Sequence, residues 1–471
     1  MEANLEGVIG AKNEEINSLS FRRTIRIADL GSTVHKSFGI AGRVVDIKVE
    51  DGRKIFEVYD GSGAVLVEVP PESLVQRGDI IGVTSKDYNG LIKYPETRII
   101  TKALASLPTR KEWSESSEDY KRKHRDIGMI VNTSLKQTFL DRNKINSLIR
   151  EFYKTKGFTE VETPFLVPFP EIAPVRPFVT EEPKYSQKAD LRLTNTEYMR
   201  RLMVAGFEKV YQLGKCFRDE PASFKHLPEF TQLTFGIAHE DYNSLMENIE
   251  QLAYSLAMKM NNKHQLNFRG QMIDLTPPWR RVSVRGALID HTGVDIECFD
   301  DPKDLREEIV RCGFAVPEKY EYGGFLMMAS LVDKLVEDNV FNRLVQPTFL
   351  CEYPWYLGGP AKELESNPKY KKRSEVFIAG VELANISTPQ NDPLKIRRWY
   401  DETLKLKQQS GWRNQILDEP YLHAIDQGIP LCATGGLGVD RLVMFILEKE
   451  RVEDVVLFPW RVYKEGGYKN D

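Results

Sequence analysis

Two arginines define the chemistry this chain can attempt. Arg218 stands in Phe217-Arg218-Asp219-Glu220, with a carboxylate two residues on. More than two hundred residues later, Arg441 stands in Gly435-Gly436-Leu437-Gly438-Val439-Asp440-Arg441-Leu442. A guanidinium is a fixed fork that meets a phosphate with two parallel hydrogen bonds. Two such forks brought together suit a bent triphosphate. The pattern predicts ATP-driven activation of a carboxylate, and the fold must then bring two distant segments to one place.

The bulk composition sets the frame. A chain of 471 residues is expected to hold more than one domain and a substantial core. Its 65 Lys and Arg against 69 Asp and Glu leave a net charge of −4, so global basicity does not advertise nucleic acid. Cys216, Cys298, Cys312, Cys351 and Cys432 stand singly, without C-x-x-C spacing. That argues against a disulfide framework or structural zinc and for a reducing cytosol. With no basic start before an apolar run and no membrane-length apolar stretch, the reading is a soluble, cytoplasmic protein.

Along the chain, residues 1–36 read as a polar arm. Residues 37–107 carry short alternating runs around the Asp60-Gly61-Ser62-Gly63 turn, including Ile40 to Val49, Phe56 with Val58, and Val65 with Val67 and Val69. They predict a small β-barrel, an OB-fold first and an SH3-like barrel close behind. Residues 108–130 read as a linker, with Pro108 and the Ser114 to Asp119 run as breakers. In residues 131–471 strands and helices mix irregularly, which predicts an α+β domain. Ile145, Leu148, Ile149, Phe152 and Tyr153 mark a helix stopped by Gly157, and Asn243 to Met260 marks a second. Residues 264–345 carry few chemical signals. No repeats or low-complexity segments are visible.

Several segments then fall into order. Gly157-Phe158-Thr159-Glu160-Val161-Glu162-Thr163-Pro164, Cys216 to Phe235, and Gly435 to Leu442 resemble the three motifs of class II aminoacyl-tRNA synthetases, in the branch holding the lysyl, aspartyl and asparaginyl enzymes. The run from Asn367-Pro368 through Glu382-Leu383-Ala384-Asn385 to Asn391-Asp392-Pro393 is similar to the lysyl enzymes in particular. The match spans about residues 37–463. The resemblance implies an OB-fold barrel before a catalytic domain whose antiparallel sheet is flanked by helices, in a homodimer whose interface includes the first motif.

It also implies site roles. Arg218 would hold the α-phosphate and the amino-acid carboxylate, Glu220 would read the adenine amino group, and Phe230 would stack on the base. His226 would reach the phosphates, Arg441 would hold the γ-phosphate, and Glu375 with Glu382 would bind Mg²⁺. Glu197 would meet the substrate α-amino group, and Asn385 belongs to the amino-acid site. Taken singly, Phe230 reads as core, Cys216 as a buried filler, and the charged residues as solvated surface. Their place within matched motifs gives the functional reading.

The amino-acid pocket departs from the pattern. The resemblance puts a Glu and a Tyr of the lysyl enzymes at Thr234 and Gly236, and another Glu at Pro389. The aspartyl enzymes put an Arg at Pro389 and a Lys at Arg200. An ammonium buried without a carboxylate is costly, so lysine is a poor candidate substrate. Gly236 is expected to leave room or to admit close backbone approach. Arg200 is a candidate for a substrate carboxylate or a surface charge. The expected substrate is a neutral, acidic or non-standard amino acid. In the barrel, the resemblance puts a Phe and a Gln on adjacent strands in contact with an anticodon base; Phe56 fits the first position, whereas the second falls near Leu66, which has no amide. Residues 37–107 hold nine Lys/Arg and ten Asp/Glu. The acceptor therefore stays open between tRNA and another amine, with a non-catalytic relic as a third reading, disfavoured by the retained Arg218, Glu220, Glu375, Glu382 and Arg441.

Overall fold

Alternating Val and Ile build the N-terminal strands: β1 (Phe38–Glu50), β2 (Arg53–Tyr59), β3 (Ala64–Val69), β4 (Ile80–Ser85), β5 (Leu91–Lys93) and β6 (Glu96–Thr101). The computed structural model describes residues 21–32, 37–169, 175–182, 184, 187–316, 325–409 and 417–460. Much of the expected arm, and residues 461–471 of the expected catalytic domain, lie outside these. The chain divides into two compact units, residues 1–137 and 138–471.

In the first unit the strand order is β5-β3-β2-β1-β4-β6. Asp51 and Gly52 both take positive φ, of 51° and 72°, as a two-residue turn matched to strand twist requires. β5 pairs parallel with β3 and β6 pairs antiparallel with β4. Between them the chain bends at Tyr94, so one broken strand ties both edges together. This is the closure of an OB-fold barrel. Its interior takes Phe56, Val58, Val65 and Val67. Phe56 is fully buried, so it cannot stack on a base as expected; the two-residue period of β2 puts Ile55 and Glu57 on the other face. Leu66 is on the outside, paired with Glu57.

The stretch expected as a linker is helical: α1 (Arg110–Glu115), α2 (Glu118–Lys123) and α3 (Arg125–Val131). Residues read as breakers act as caps. Thr109 and Glu112 form a capping box, and the Ser117 hydroxyl accepts from the Tyr120 amide. Buried Trp113 packs on Gly128, where a Cβ would come within 2.4 Å of the indole.

The second unit opens with the long helix α4 (Thr133–Thr155), most of which lies beyond Gln137, followed by Gly157 at φ 80°. Next come β7 (Thr159–Glu160), the three-stranded set β8 (Leu166–Val167), β9 (Val179–Glu182) and β10 (Gln187–Leu191), and helix α5 (Thr196–Val204). The hairpin β11 (Lys209–Phe217) and β12 (Glu229–Ala238) leads to α6 (Tyr242–Asn261). After the small hairpin β13 (Gln265–Phe268) and β14 (Gln271–Asp274) come β15 (Arg280–Ser283), α7 (Val284–Thr292), α8 (Pro302–Arg311) and α9 (Phe325–Asn339). The chain continues through β16 (Thr348–Pro354), β17 (Tyr370–Ile378), β18 (Val381–Ser387), α10 (Pro393–Gln409), α11 (Glu419–Asp426), β19 (Cys432–Gly438) and α12 (Val439–Ile446).

The large sheet runs β15-β16-β17-β18-β19-β12-β11-β7 and is antiparallel except at its two edge pairs. Leu233, Phe235 and Ile237 alternate into the main core, where α4, α6 and α12 pack. The expected antiparallel sheet flanked by helices is what forms. A smaller cluster at α5, α10 and α11 contains Met199, Met203 and Tyr421. Another at α7, α8 and α9 contains Leu350, Tyr353 and Phe377.

Candidate active site

A cavity of about 650 Å³ lies over β12, β19, β18 and β17, lined also by α5 and α9. Strand pairing sets out rows on this face of the sheet, of which Glu375, Asn385, Gly436, Arg373, Ser387 and Thr434 line the cavity. Glu375 pairs with Asn385, Asn385 with Gly436, and Gly436 with Thr234. The next row is Arg373, Ser387, Thr434 and Gly236. A Cβ at Gly436 would sit 1.9 Å from Gln232 Nε2, so the end of the Gln232 side chain would have to move aside.

The two arginine segments meet here. The Arg218 guanidinium lies 5.1 Å from the Phe230 ring centroid, and its buried Nε has no protein acceptor. Arg441 Nε donates to the Lys225 carbonyl at 3.0 Å, and its Nη1 donates to the Glu382 carbonyl and approaches the Glu382 carboxylate at 3.5 Å. A buried brace sits behind it. Arg142 pairs with Asp440 at 2.5 Å and donates to Thr231 Oγ1 at 3.1 Å, while the Thr231 amide donates to Asp440 at 2.8 Å. Burial, Arg441 and Lys225 press the His226 imidazole down to about 4, so it is neutral at pH 7. Its Nδ1 lies 2.8 Å from Ser223 Oγ.

The lining next to Arg441 is acidic. Glu375 accepts from Arg373 at 2.6 Å, Tyr353 at 2.7 Å and Asn385 at 2.9 Å. Burial pushes its carboxyl up to about 7, with Arg373 opposing and Glu382 adding to the rise. Asp333, raised by burial, and Glu337 join Glu382 on this wall. Two carboxylates facing a phosphate site are what Mg²⁺ uses, because it completes its shell with phosphates and water. Glu375 and Glu382 fit that need. Among the described residues, no group of three or more His, Cys, Asp or Glu forms a closed metal cage.

The cavity gathers Arg200, Arg218, Glu220, His226, Phe230, Glu375, Glu382, Asn385 and Arg441. It does not gather Glu197, Thr234, Gly236 or Pro389. Glu197 is buried and accepts from the Tyr400 hydroxyl, whereas Thr196 and Arg200, four residues apart on one helix face, line the cavity. Gly236 leaves room for no more than a Cβ, which would meet Met203 and Thr434 at an ordinary contact distance of 3.5 Å, so no close backbone approach requires the glycine. Pro389 is buried and bridged to Ala361. Sequence reasoning missed Lys225, Gln232, Asp333, Glu337, Arg373 and Thr434 in the lining. Gln232 and Arg373 carried a signal, each two strand positions from a named residue and so on the same face. Asp333 carried none, because only the packing of α9 brings it in.

Two cationic forks, a neutral imidazole and neighbouring carboxylates lining one cavity can hold a triphosphate, and no nucleophilic side chain is needed for attack at phosphorus. Comparison with known proteins fixes the family. Residues 117–462 match the model of the class II tRNA synthetases (D, K and N). The chain belongs to that family. Relatives include proteins named lysine–tRNA ligase. One from Thermoanaerobacter sp. (strain X514) is 35% identical over 421 residues, covering 88% of this chain and 82% of the relative. One from Campylobacter jejuni subsp. doylei is 33% identical over 432 residues, covering 90% and 85%. Another from Carboxydothermus hydrogenoformans is 32% identical over 442 residues, covering 90% and 89%. The chain is thus a class II synthetase, a ligase of the aminoacylating kind. Its five cysteines are free thiols, and among the described residues no helix is long and apolar enough to cross a membrane.

Proposed function

We propose that this synthetase converts ATP and an amino acid other than lysine into an aminoacyl adenylate in the cytoplasm, and passes the aminoacyl group to tRNA. The observation that carries the adenylation reading is the convergence of Arg218, Arg441, Glu375 and Glu382 on one cavity. The substrate carboxylate attacks the α-phosphorus, an oxygen–phosphorus bond forms, and the α–β bridging bond breaks to release pyrophosphate. Arg218 neutralises charge on the α-phosphate and Arg441 holds the far end of the chain of phosphates. His226 donates as a neutral group, Phe230 carries the base, and Glu220 accepts from its amino group. Glu375 and Glu382 would hold Mg²⁺, which supplies charge neutralisation on the phosphates when bound.

The relatives' name suggests lysine, but the residues around Thr234 and Gly236 argue otherwise. The Thr194, Thr196, Arg200, Gln232, Ser387 and Thr434 side of the cavity contributes no carboxylate. An ammonium there would face Arg200, with the nearby Glu197 carboxylate already bonded by the Tyr400 hydroxyl. Exposed Phe165 and Leu166, just beyond the first motif, support a homodimer. A second reading, transfer to an amine other than tRNA, is favoured by the barrel, where Phe56 is interior and Leu66 occupies the outer face. ATP–pyrophosphate exchange against an amino-acid panel, followed by charging of total tRNA with the best substrate, tests both steps. Exchange driven best by lysine contradicts the specificity, and activation without tRNA charging selects the second reading.

A further inference from the structure

We infer that Gln232 and Thr434 select the substrate side chain, and that they select an uncharged hydrogen-bonding group, a hydroxyl or a carboxamide. This rests on the adenylation reading and deepens it. Both residues line the cavity, at 9% and 1% exposure, and the structure leaves Gln232 Oε1 and Thr434 Oγ1 without a hydrogen-bond partner. A buried polar atom costs free energy until something meets it, and rotation of either side chain toward the cavity would let a ligand group do so. The two residues stand on neighbouring strands. Gln232 pairs with Gly438, Thr434 pairs with Gly236, and the Gln232 amide lies over Gly436 between them. An amide and a hydroxyl flanking a glycine floor offer donors and acceptors together.

The charges at this end are already compensated within the protein. Arg373 is paired with Glu375 at 2.6 Å. Arg200 donates to the Tyr421 hydroxyl and Glu197 accepts from the Tyr400 hydroxyl, and their opposite charges act together on both phenols. A charged substrate side chain would bring a charge that this balance does not answer. A neutral polar group would satisfy Gln232 and Thr434 without disturbing it. Apolar side chains of the same size would leave both atoms unmet, the situation in which a hydrogen-bonding site discriminates most strongly.

The test uses the full chain in ATP–pyrophosphate exchange with three sets of amino acids. Asparagine, glutamine, serine, threonine, homoserine and citrulline are the uncharged polar set. Lysine, ornithine, arginine, aspartate and glutamate are charged, and leucine, norvaline and α-aminobutyrate are apolar. The best substrate is expected in the first set. Gln232→Met and Thr434→Ala should each lower its kcat/KM by roughly tenfold to a hundredfold, and lower that of the nearest apolar amino acid much less. Gln232→Glu, nearly isosteric, should move preference toward cationic amino acids, and it keeps the test open if Gln232→Met does not fold. A charged or apolar amino acid as best substrate overturns the inference while the adenylation reading stands. Equal losses for polar and apolar substrates in the folded variants overturn it too. Absence of exchange with every amino acid overturns the adenylation reading, and this inference with it.

Discussion

Arg218 and Arg441 hold different kinds of position. The buried Nε of Arg218 lacks an acceptor, whereas Arg441 is tethered by the carbonyls of Lys225 and Glu382. Arg218→Ala is expected to lower the rate of pyrophosphate exchange about a hundredfold or more with little change in thermal stability, since a preorganised donor acts where charge develops. Rate and melting measurements on one preparation check it. His226 gives a pH signature of stability. Its folded pKa is about 4 against an ordinary 6.5, so the unfolded chain binds more protons between those values. The stability is present above 6.5 and is lost as pH falls toward 4. Urea melts across that window should lose part of their slope with pH in His226→Gln. Burial pushes the Glu375 carboxyl up to about 7, and under the proposed function its ionised form would hold the metal. The Mg²⁺ concentration giving half-maximal exchange should therefore rise as pH is lowered from 8 to 6.

At the scale of elements, α4 carries Arg142 to the brace on Asp440, one residue before Arg441. Arg142→Ala leaves a nearly buried carboxylate unpaired, and about 3 kcal/mol of stability should be lost in denaturant titrations, together with exchange activity. Strongly periodic elements were legible from sequence: the helix over Ile145 to Tyr153, the helix over Asn243 to Met260, and the barrel strands. Residues 108–130 were not, because Thr109 and Ser117 serve as helix caps and the same residue types serve as turn formers. Phe56 was assigned to the wrong face of β2, since a one-residue shift in a strand exchanges inside for outside. On α5, one position of rotation separates Thr196, in the cavity lining, from Glu197, held by Tyr400. Asp333 and Glu337 needed tertiary packing to reach the site, and no local pattern encodes that.

For the whole molecule, the sequence motifs sufficed to predict that Arg218, Glu220, His226, Phe230 and Arg441 share one cavity, because each motif carries a demand on backbone and charge that few sites share. The amino-acid end was less legible, as its specificity depends on which polar atoms stay unmet after folding. If the proposed homodimer forms beside the first motif, sedimentation should give a species of twice the chain mass. Leu166→Asp, at a residue 56% exposed in the single chain, should shift it toward monomer. The most direct test of the account is ATP–pyrophosphate exchange by the full chain with Mg²⁺, comparing lysine with the uncharged polar amino acids at equal concentration. The account predicts exchange, with lysine well below the best uncharged amino acid in kcat/KM. Exchange led by lysine, or none with any amino acid, would contradict it.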